Sequence, residues 1–385
     1  YDRDFADIFA VQEELAKSIG EILLKKLAPE QLAKLTLNKP TQNSEVYALF
    51  LKAKHVHKEV YRQTKKIEDF QRSERLFLQA IQLDSTYALA HAGLADLYDS
   101  YWIDIPAEAV AEKTKYLELI EQESALAMRL DPNNAYINLV RGYVLRRSQQ
   151  TEAAFKHFLK SYELNPNNVE TIIGLANLYL NMGLHKDALA FGERAINIEP
   201  VHRSGFLIKI YSHFYLGNLE TTIKTCESLL DIEPNNLTAL EYLFNANFQL
   251  GNKAAALATL EKMEQAAPSY VQNMGLDLEI ALLRENTDYL NQMLELDNPN
   301  INFHLYTYQK KQAQAKQALR LASEQYLSNA VSDPTPQGSL YLDFLHDAKR
   351  APFQQEDWLQ QVLAAEKEKY DYLFGKYPRA VEILN

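Results

Sequence analysis

Apolar residues recur along this chain at steps of three and four. Phe5, Ile8, Phe9, Val11, Leu15, Ile19 and Ile22 form one such stripe, with Asp2 and Asp4 at its head. That spacing predicts an amphipathic helix over residues 1–23, and acidic groups suit the positive end of a helix. Similar patterns predict helices at 45–59, at 67–83, from Tyr87 onward, and in a long run ending at Leu130. Towards the other end they predict short helices at 272–283, 288–296, 302–308 and 312–327. A loop with Asp333, Pro334, Pro336 and Gly338 follows, then two last helical segments at 340–348 and 354–374.

A second, longer period lies over the first. Pro132, Pro166, Pro200, Pro234 and Pro268 stand 34 residues apart. Such a fixed spacing marks a repeat architecture. With Ala135 as position 1, positions 8, 20 and 27 carry Gly142, Ala154 and Ser161, and in the next unit Ala176, Ala188 and Ala195. Small residues there suit two antiparallel helices that approach closely. The third and fourth units put Ile210, Thr222, Leu229, Phe244, Ala256 and Met263 at those positions. Larger residues among them predict wider helix spacing or altered curvature. Gly183, Gly217 and Gly251 fall between the paired helices, where a left-handed residue ends the first one. The recurring prolines stop the second helix of each pair.

These residues resemble the tetratricopeptide repeat. The match is best over 135–202 and thins on both sides. The resemblance implies an all-α fold: a right-handed α-solenoid, a superhelix of antiparallel helix pairs. The expected layout is an amphipathic helix and linker at 1–42, two extended repeats at 43–134, four standard units at 135–270, and degenerate repeats with capping helices at 271–385. From Ala88 to Ala135 is 47 residues, so that repeat carries an insertion, assigned to 99–110 between its helices. The segment YDSYWIDIP there holds Tyr98, Tyr101, Trp102, Ile103 and Ile105. So much apolar surface needs cover: either it folds back on the chain, or it is an exposed patch for a partner or a second copy.

The first residues carry a second resemblance. Tyr1, Asp2, Arg3, Asp7, Ile8, Phe9, Ala10, Val11, Gln12 and Glu13, followed by Asn43, Ser44, Glu45, Val46 and Tyr47, look like the junction between a TolB-like domain and tetratricopeptide repeats. That junction occurs in bacterial CadC-like winged-helix regulators and in some class III adenylate cyclases. The resemblance implies a sensory or regulatory module of a larger signalling or transcription-regulating protein. Its compartment would be periplasmic in a membrane-spanning regulator and cytoplasmic otherwise. The absence of an initial methionine fits a piece of a longer protein.

Composition narrows the chemistry. Of the residues, 47% are hydrophobic and 24% charged, which excludes a disordered tail. A net charge of −11 argues against direct nucleic-acid binding. The single cysteine, Cys226, excludes an internal disulfide and suits a packing position. No apolar window long enough for a membrane span occurs, and no signal peptide is visible. Nine histidines are scattered, and there is no phosphate loop, metalloprotease motif or nucleophile elbow. No enzyme and no cofactor are expected.

In the resembled family, positions 2, 5, 9, 12 and 13 of each first helix line a concave groove. Transferred to this chain, they give Tyr136, Tyr143, Arg146 and Arg147, then Asn177 and Asn181, then Tyr211, Phe214 and Tyr215, then Asn245 and Gln249. Trp102 in the insertion joins them as a candidate protein-binding residue. Rings supply contact area, amides pair with a peptide backbone and arginines with acidic groups. The family's carboxylate clamp needs Lys at position 5 with Asn at 9, but position 5 is Leu139 or Ile173 beside the lone Asn177. Capture of a chaperone tail is therefore not expected. Two readings follow: a scaffold that binds a protein or peptide, or a spacer that self-associates as a homodimer.

Overall fold

A computed structural model describes residues 43–273, 276–296, 298–329 and 350–384. The expected helix over 1–23, the junction residues before Asn43, the 333–338 loop and the 340–348 segment lie outside the described residues. Among the described residues the secondary structure is helical, without strands. The chain forms two compact units, one reaching Leu164 and the other starting at Asn165.

In the first unit, α1 covers Ser44–His55. The Asn43 side chain caps it by accepting the Glu45 and Val46 N–H groups at 3.0 and 3.3 Å, which satisfies donors that a helix start leaves open. The helix does not end near residue 59. It widens into a π-helical stretch, Val56–Tyr61, and closes at Arg62–Thr64, where Lys65 turns left-handed at φ 54°. The widened turn buries Val56, His57 and Tyr61 together. Helix α2 (Ile67–Leu83) contributes Phe70 and Phe77, and α3 (Ala88–Asp104) packs against both α1 and α2.

Helix α3 is buried on almost every side from Ala88 to Tyr98. At its closest approach to α2 the helix needs a glycine: a Cβ on Gly93 would sit 2.3 Å from Phe77 Cε1. Here the structure corrects the expectation for 99–110. Residues through Asp104 continue α3, and α4 (Val110–Leu130) is lengthened to match, leaving 105–109 as the connection. The extra aromatics pack inside the unit. Tyr101 stacks on Phe70 at 4.2 Å, and Tyr116 of α4 meets Tyr98 and Tyr101 edge-on at 5.3 and 4.8 Å. Helices α5 (Ala135–Arg147) and α6 (Thr151–Leu164) complete the unit.

The second unit opens with three regular pairs. They are α7 (Val169–Asn181) with α8 (His185–Ile198), α9 (Arg203–Tyr215) with α10 (Leu219–Ile232), and α11 (Leu237–Gln249) with α12 (Lys253–Ala266). Asn168, His202 and Asn236 cap the first helices by accepting N–H groups three residues on. Gly183, Gly217 and Gly251 take φ of 73–76°, the conformation that lets each first helix turn back on its partner. Ile210, Leu229 and Cys226 are fully buried, and burial pushes the Cys226 thiol up to about 12.

Beyond this the helices shorten. They are α13 (Pro268–Asn273), α14 (Asp277–Leu283), α15 (Thr287–Glu295) and α16 (Pro299–Tyr308), then α17 (Gln312–Asn329). A 3-10 turn at Ala351–Phe353 leads to α18 (Asp357–Lys376) and α19 (Ala380–Leu384). Phe303, Leu319, Phe353 and Leu363 form the core that joins α16, α17 and α18.

Candidate protein-binding face

In the first unit the first helices are α1, α3 and α5, and their charged residues meet one another. Lys54, Lys58 and Arg62 stand at steps of four on α1 and its extension. Lys58 Nζ lies 2.8 Å and Arg62 3.5 Å from the Asp96 carboxylate of α3, whose side chain is 9% exposed. The Tyr136 hydroxyl of α5 donates to Asp96 at 2.8 Å, and Lys54 Nζ sits 4.5 Å above the same ring. Burial opposes the Asp96 charge, yet Lys58, His57 and Arg62 together hold its carboxyl well below the usual carboxylate range.

One helical turn along, Arg147 donates to both oxygens of Asp99, at 2.5 and 2.8 Å. Its guanidinium also lies 4.3 Å from the Trp102 ring centre, and Lys113 Nζ lies 3.9 Å from it. Trp102 is thus half-buried beside two cations, and its indole N–H has no hydrogen-bond partner among the described residues. Tyr143 meets Phe158 edge-on at 5.1 Å, and the Arg146 guanidinium lies 5.7 Å above the Tyr143 ring. Two histidines lie behind this face. His57 bonds Ser100 at 2.8 Å, and burial drives its pKa down to about 3. Burial also opposes the charged form of His91. Its hydrogen bonds to Glu123 at 2.6 Å and to the Ser85 carbonyl outweigh that and raise its pKa.

In the second unit the same positions carry rings and amides. Tyr211 and Phe214 of α9 both meet Tyr242 of α11 edge-on at 5.0 Å, and Phe214 meets Tyr215 at 5.4 Å. Tyr215 stacks on His185 at 5.0 Å, and its hydroxyl is 3.4 Å from that of Tyr242. Edge-on pairs at these separations are the favoured aromatic geometry. Phe248 is stacked on Phe244 at 6.2 Å. Asn177, Asn245 and Gln249 are half-buried and Asn181 is exposed. Glu241 is occupied by the Tyr270 hydroxyl at 2.6 Å. An open cleft of about 590 Å³ lies beside it, lined by Arg203, Glu233, Asn236, Thr238 and Tyr270.

The sequence positions therefore assemble Tyr136, Arg147 and Trp102 around α3, and Tyr211, Phe214 and Tyr215 around Tyr242. Position-counting missed Asp96, Asp99 and Tyr242, which hold those groups together. A signal for the first two was available: Asp96 and Asp99, three apart on α3, answer the basic stripe at 54, 58 and 62. Leu139 and Ile173 are buried, so neither offers a cation at position 5. Among the described residues, no group of three or more His, Cys, Asp and Glu is placed to hold a metal, and no helix is long and apolar enough to cross a membrane.

Comparison with known proteins finds the repeat. Residues 135–168 match the tetratricopeptide repeat model. The chain is similar to U-box domain-containing protein 70 of Oryza sativa subsp. japonica, 24% identical over 53% of this chain and 26% of that protein. It is also similar to the Hsp70-Hsp90 organizing protein of Triticum aestivum, 26% identical over 34% of this chain and 22% of that protein. The chain thus spans about a quarter of the length of these relatives. Among solved structures, a tetratricopeptide repeat protein from Parabacteroides merdae is 14% identical, with a TM-score of 0.40 over 84% of this chain and all of that one.

Proposed function

We propose that this tetratricopeptide repeat chain is a scaffold that binds a protein or peptide through the first-helix face of its second unit. The observation that carries the reading is the continuous set of rings on α9 and α11. Tyr211, Phe214, Tyr215 and Tyr242 touch one another yet Tyr211, Phe214 and Tyr215 keep part of their surface open to solvent. Such rings give large contact area at low entropic cost and are enriched among residues that dominate binding energy. Asn177 and Asn181 of α7 and Asn245 and Gln249 of α11, at the corresponding first-helix positions, add donors and acceptors for a peptide backbone. In the first unit, Tyr136, Tyr143, Arg146, Arg147 and Trp102 form a separate mixed cationic and aromatic surface, in which Arg147 and Tyr136 are held by Asp99 and Asp96.

The names of the wheat relative and its counterparts point to chaperone organisation. The lack of a lysine at position 5 does not support a ligand held by its terminal carboxylate. The pattern at residues 1–13 supports a role as the regulatory part of a bacterial multidomain signalling protein.

The test is selection of peptides from a random display library on the purified chain. Enrichment of one motif is expected, with binding weakened at least tenfold by Tyr211→Ala with Phe214→Ala. Failure to enrich any motif, together with dimerisation in light scattering, would replace this reading with that of a self-associating spacer.

A further inference from the structure

The chain already holds one peptide segment in a manner independent of its repeat packing. Asp187, near the start of α8, has a side chain only 3% exposed. Arg379 Nε donates to its two oxygens at 2.9 and 3.0 Å, and Arg379 Nη2 lies 2.8 Å from Oδ2. The Ala380 N–H donates to Oδ1 at 2.8 Å. Every side-chain hydrogen bond of Asp187 among the described residues goes to this one segment. On its other side the buried Tyr179 hydroxyl donates to the Pro378 carbonyl, while its ring is fixed by stacking on Phe191 at 5.4 Å. One side chain, one N–H and one carbonyl of a tripeptide are therefore read at once.

Ala380 and Tyr377 are buried, but Val381 is 62% exposed and Glu382 faces solvent. Arg379 and Asp187 lie 192 residues apart in sequence. Helix α18, 20 residues and so about 30 Å long, brings the segment to α8. Phe374 at its end orients the arginine, whose guanidinium lies 3.6 Å from the ring centre.

We propose that Asp187 and Tyr179 form a recognition site for a peptide containing Pro-Arg-Ala, and that residues 378–380 are its resident, displaceable ligand. The grip is a two-oxygen arginine fork plus main-chain hydrogen bonds, the kind of contact that selects a sequence rather than merely an apolar surface. A carboxylate so buried has to be paired, so the site is occupied by this segment or by another of the same chemistry. Tethering gives the resident segment an effective concentration in the millimolar range by order of magnitude, so a separate peptide competes only once the tether is cut. The site shares no residue with the first-helix rows, so its fate and that of the ring face are separable.

The experiment inserts a protease cleavage sequence between Lys376 and Tyr377 of the full chain and cuts the folded protein. A labelled peptide, YPRAVEIL, is then titrated into cut and uncut chains with helicity followed by circular dichroism. The cut chain is expected to keep its helicity and bind the peptide at least tenfold more tightly than the uncut chain. Replacing the arginine of the peptide with alanine should weaken binding at least tenfold, and so should Asp187→Asn in the cut chain. Peptide variants leave the protein unaltered, so they decide the matter even if Asp187→Asn folds poorly. Three results would overturn the proposal: loss of helicity on cutting, absence of binding to a helical cut chain, or equal binding of the arginine-free peptide.

Discussion

Along α1, α3 and α5 the first-helix residues are charged and tied to one another, whereas along α9 and α11 they are aromatic and partly open. The difference is one of where polar groups find their partners. Asp96 accepts from Tyr136 and sits between Lys58 and Arg62, and Asp99 takes both arms of Arg147. Those groups are already paired inside the unit. The rings around Tyr242 are held by edge-on contacts, which satisfy packing without consuming the outward face. The first region should therefore answer mutation with loss of stability, and the second with loss of binding.

The strongest way to break this contrast is Asp96→Ala. Removing the acid takes from Lys58, 12% exposed, and from Arg62 the carboxylate they share, and breaking a buried pair costs about 3–5 kcal/mol. Urea unfolding should show that loss, and a shift below about 1 kcal/mol would mean that the network is ornamental. By contrast Tyr211→Ala with Phe214→Ala removes three edge-on contacts between half-buried rings, worth about 1.5–4.5 kcal/mol, and leaves no buried charge behind.

Acid tests the same network. Burial holds His57 neutral down to about pH 3, while the unfolded chain takes up its proton near pH 6.5. The unfolded state then binds more protons between those values, so stability is full above pH 6.5 and falls as pH drops. Each pH unit of full uptake is worth about 1.4 kcal/mol, giving about 3 kcal/mol by pH 4. Asp96 faces His57 and favours its protonation; Lys58, Arg62 and Lys65 oppose it. His91, with a raised pKa, works in the other direction: its contribution is present at low pH and lost as pH rises through its folded value. His57→Gln should flatten the slope of the urea midpoint between pH 6.5 and 4, and an unchanged slope would assign the acid response elsewhere.

The 34-residue period, the helix pairs and the glycine turns were legible because they depend on local pattern: residues within one pair recur at fixed offsets. The site was legible only in part. Tyr211 and Phe214 follow from position, but Tyr242 does not, because it projects from the neighbouring first helix at another position. The widening of α1 at Val56–Tyr61 has no local mark; it accompanies the burial of His57, whose partner Ser100 is 43 residues away. The insertion misled because the extra length was assigned to the connection, whereas it lengthens α3, whose added rings Phe70 and Tyr116 cover. Arg379 and Asp187 each look like ordinary surface charges until α18 brings them together.

Helix crossings sharpen the contrast further. Gly93→Ala places a Cβ 2.3 Å from the Phe77 ring, which is fully buried and cannot turn away. In the second unit Gly205→Ala meets Ile196 Cγ1 at 2.9 Å, and Ile196 is half-exposed and free to adjust. Overpacking costs about 1–3 kcal/mol, so Gly93→Ala should lie at the top of that range and Gly205→Ala at its foot. Equal thermal shifts for the two would show that the aromatic core of the first unit is softer than its burial implies.

The smallest expected effect comes from Arg147→Lys. The charge stays, but the planar fork that spans both oxygens of Asp99 and lies beside Trp102 is lost. The pair is only 19% and 16% exposed, but lysine keeps the charge and gives up one arm of the fork, a loss of about 0.5–1 kcal/mol, and Lys113 remains at 3.9 Å to cover the ring. Trp102 reports the change directly once Trp358, the other tryptophan, is replaced by phenylalanine. Its emission should be blue-shifted, insensitive to dilution, and displaced to the red by Arg147→Lys with little change in the urea midpoint. Emission that moves to the red on dilution would place Trp102 at a contact between two copies, and the first-unit face would then be an interface rather than a closed network. If Arg147→Lys also weakens the library-selected peptide, Arg147 exchanges Asp99 for an acidic group of the ligand, and the two faces differ in degree of pairing rather than in kind.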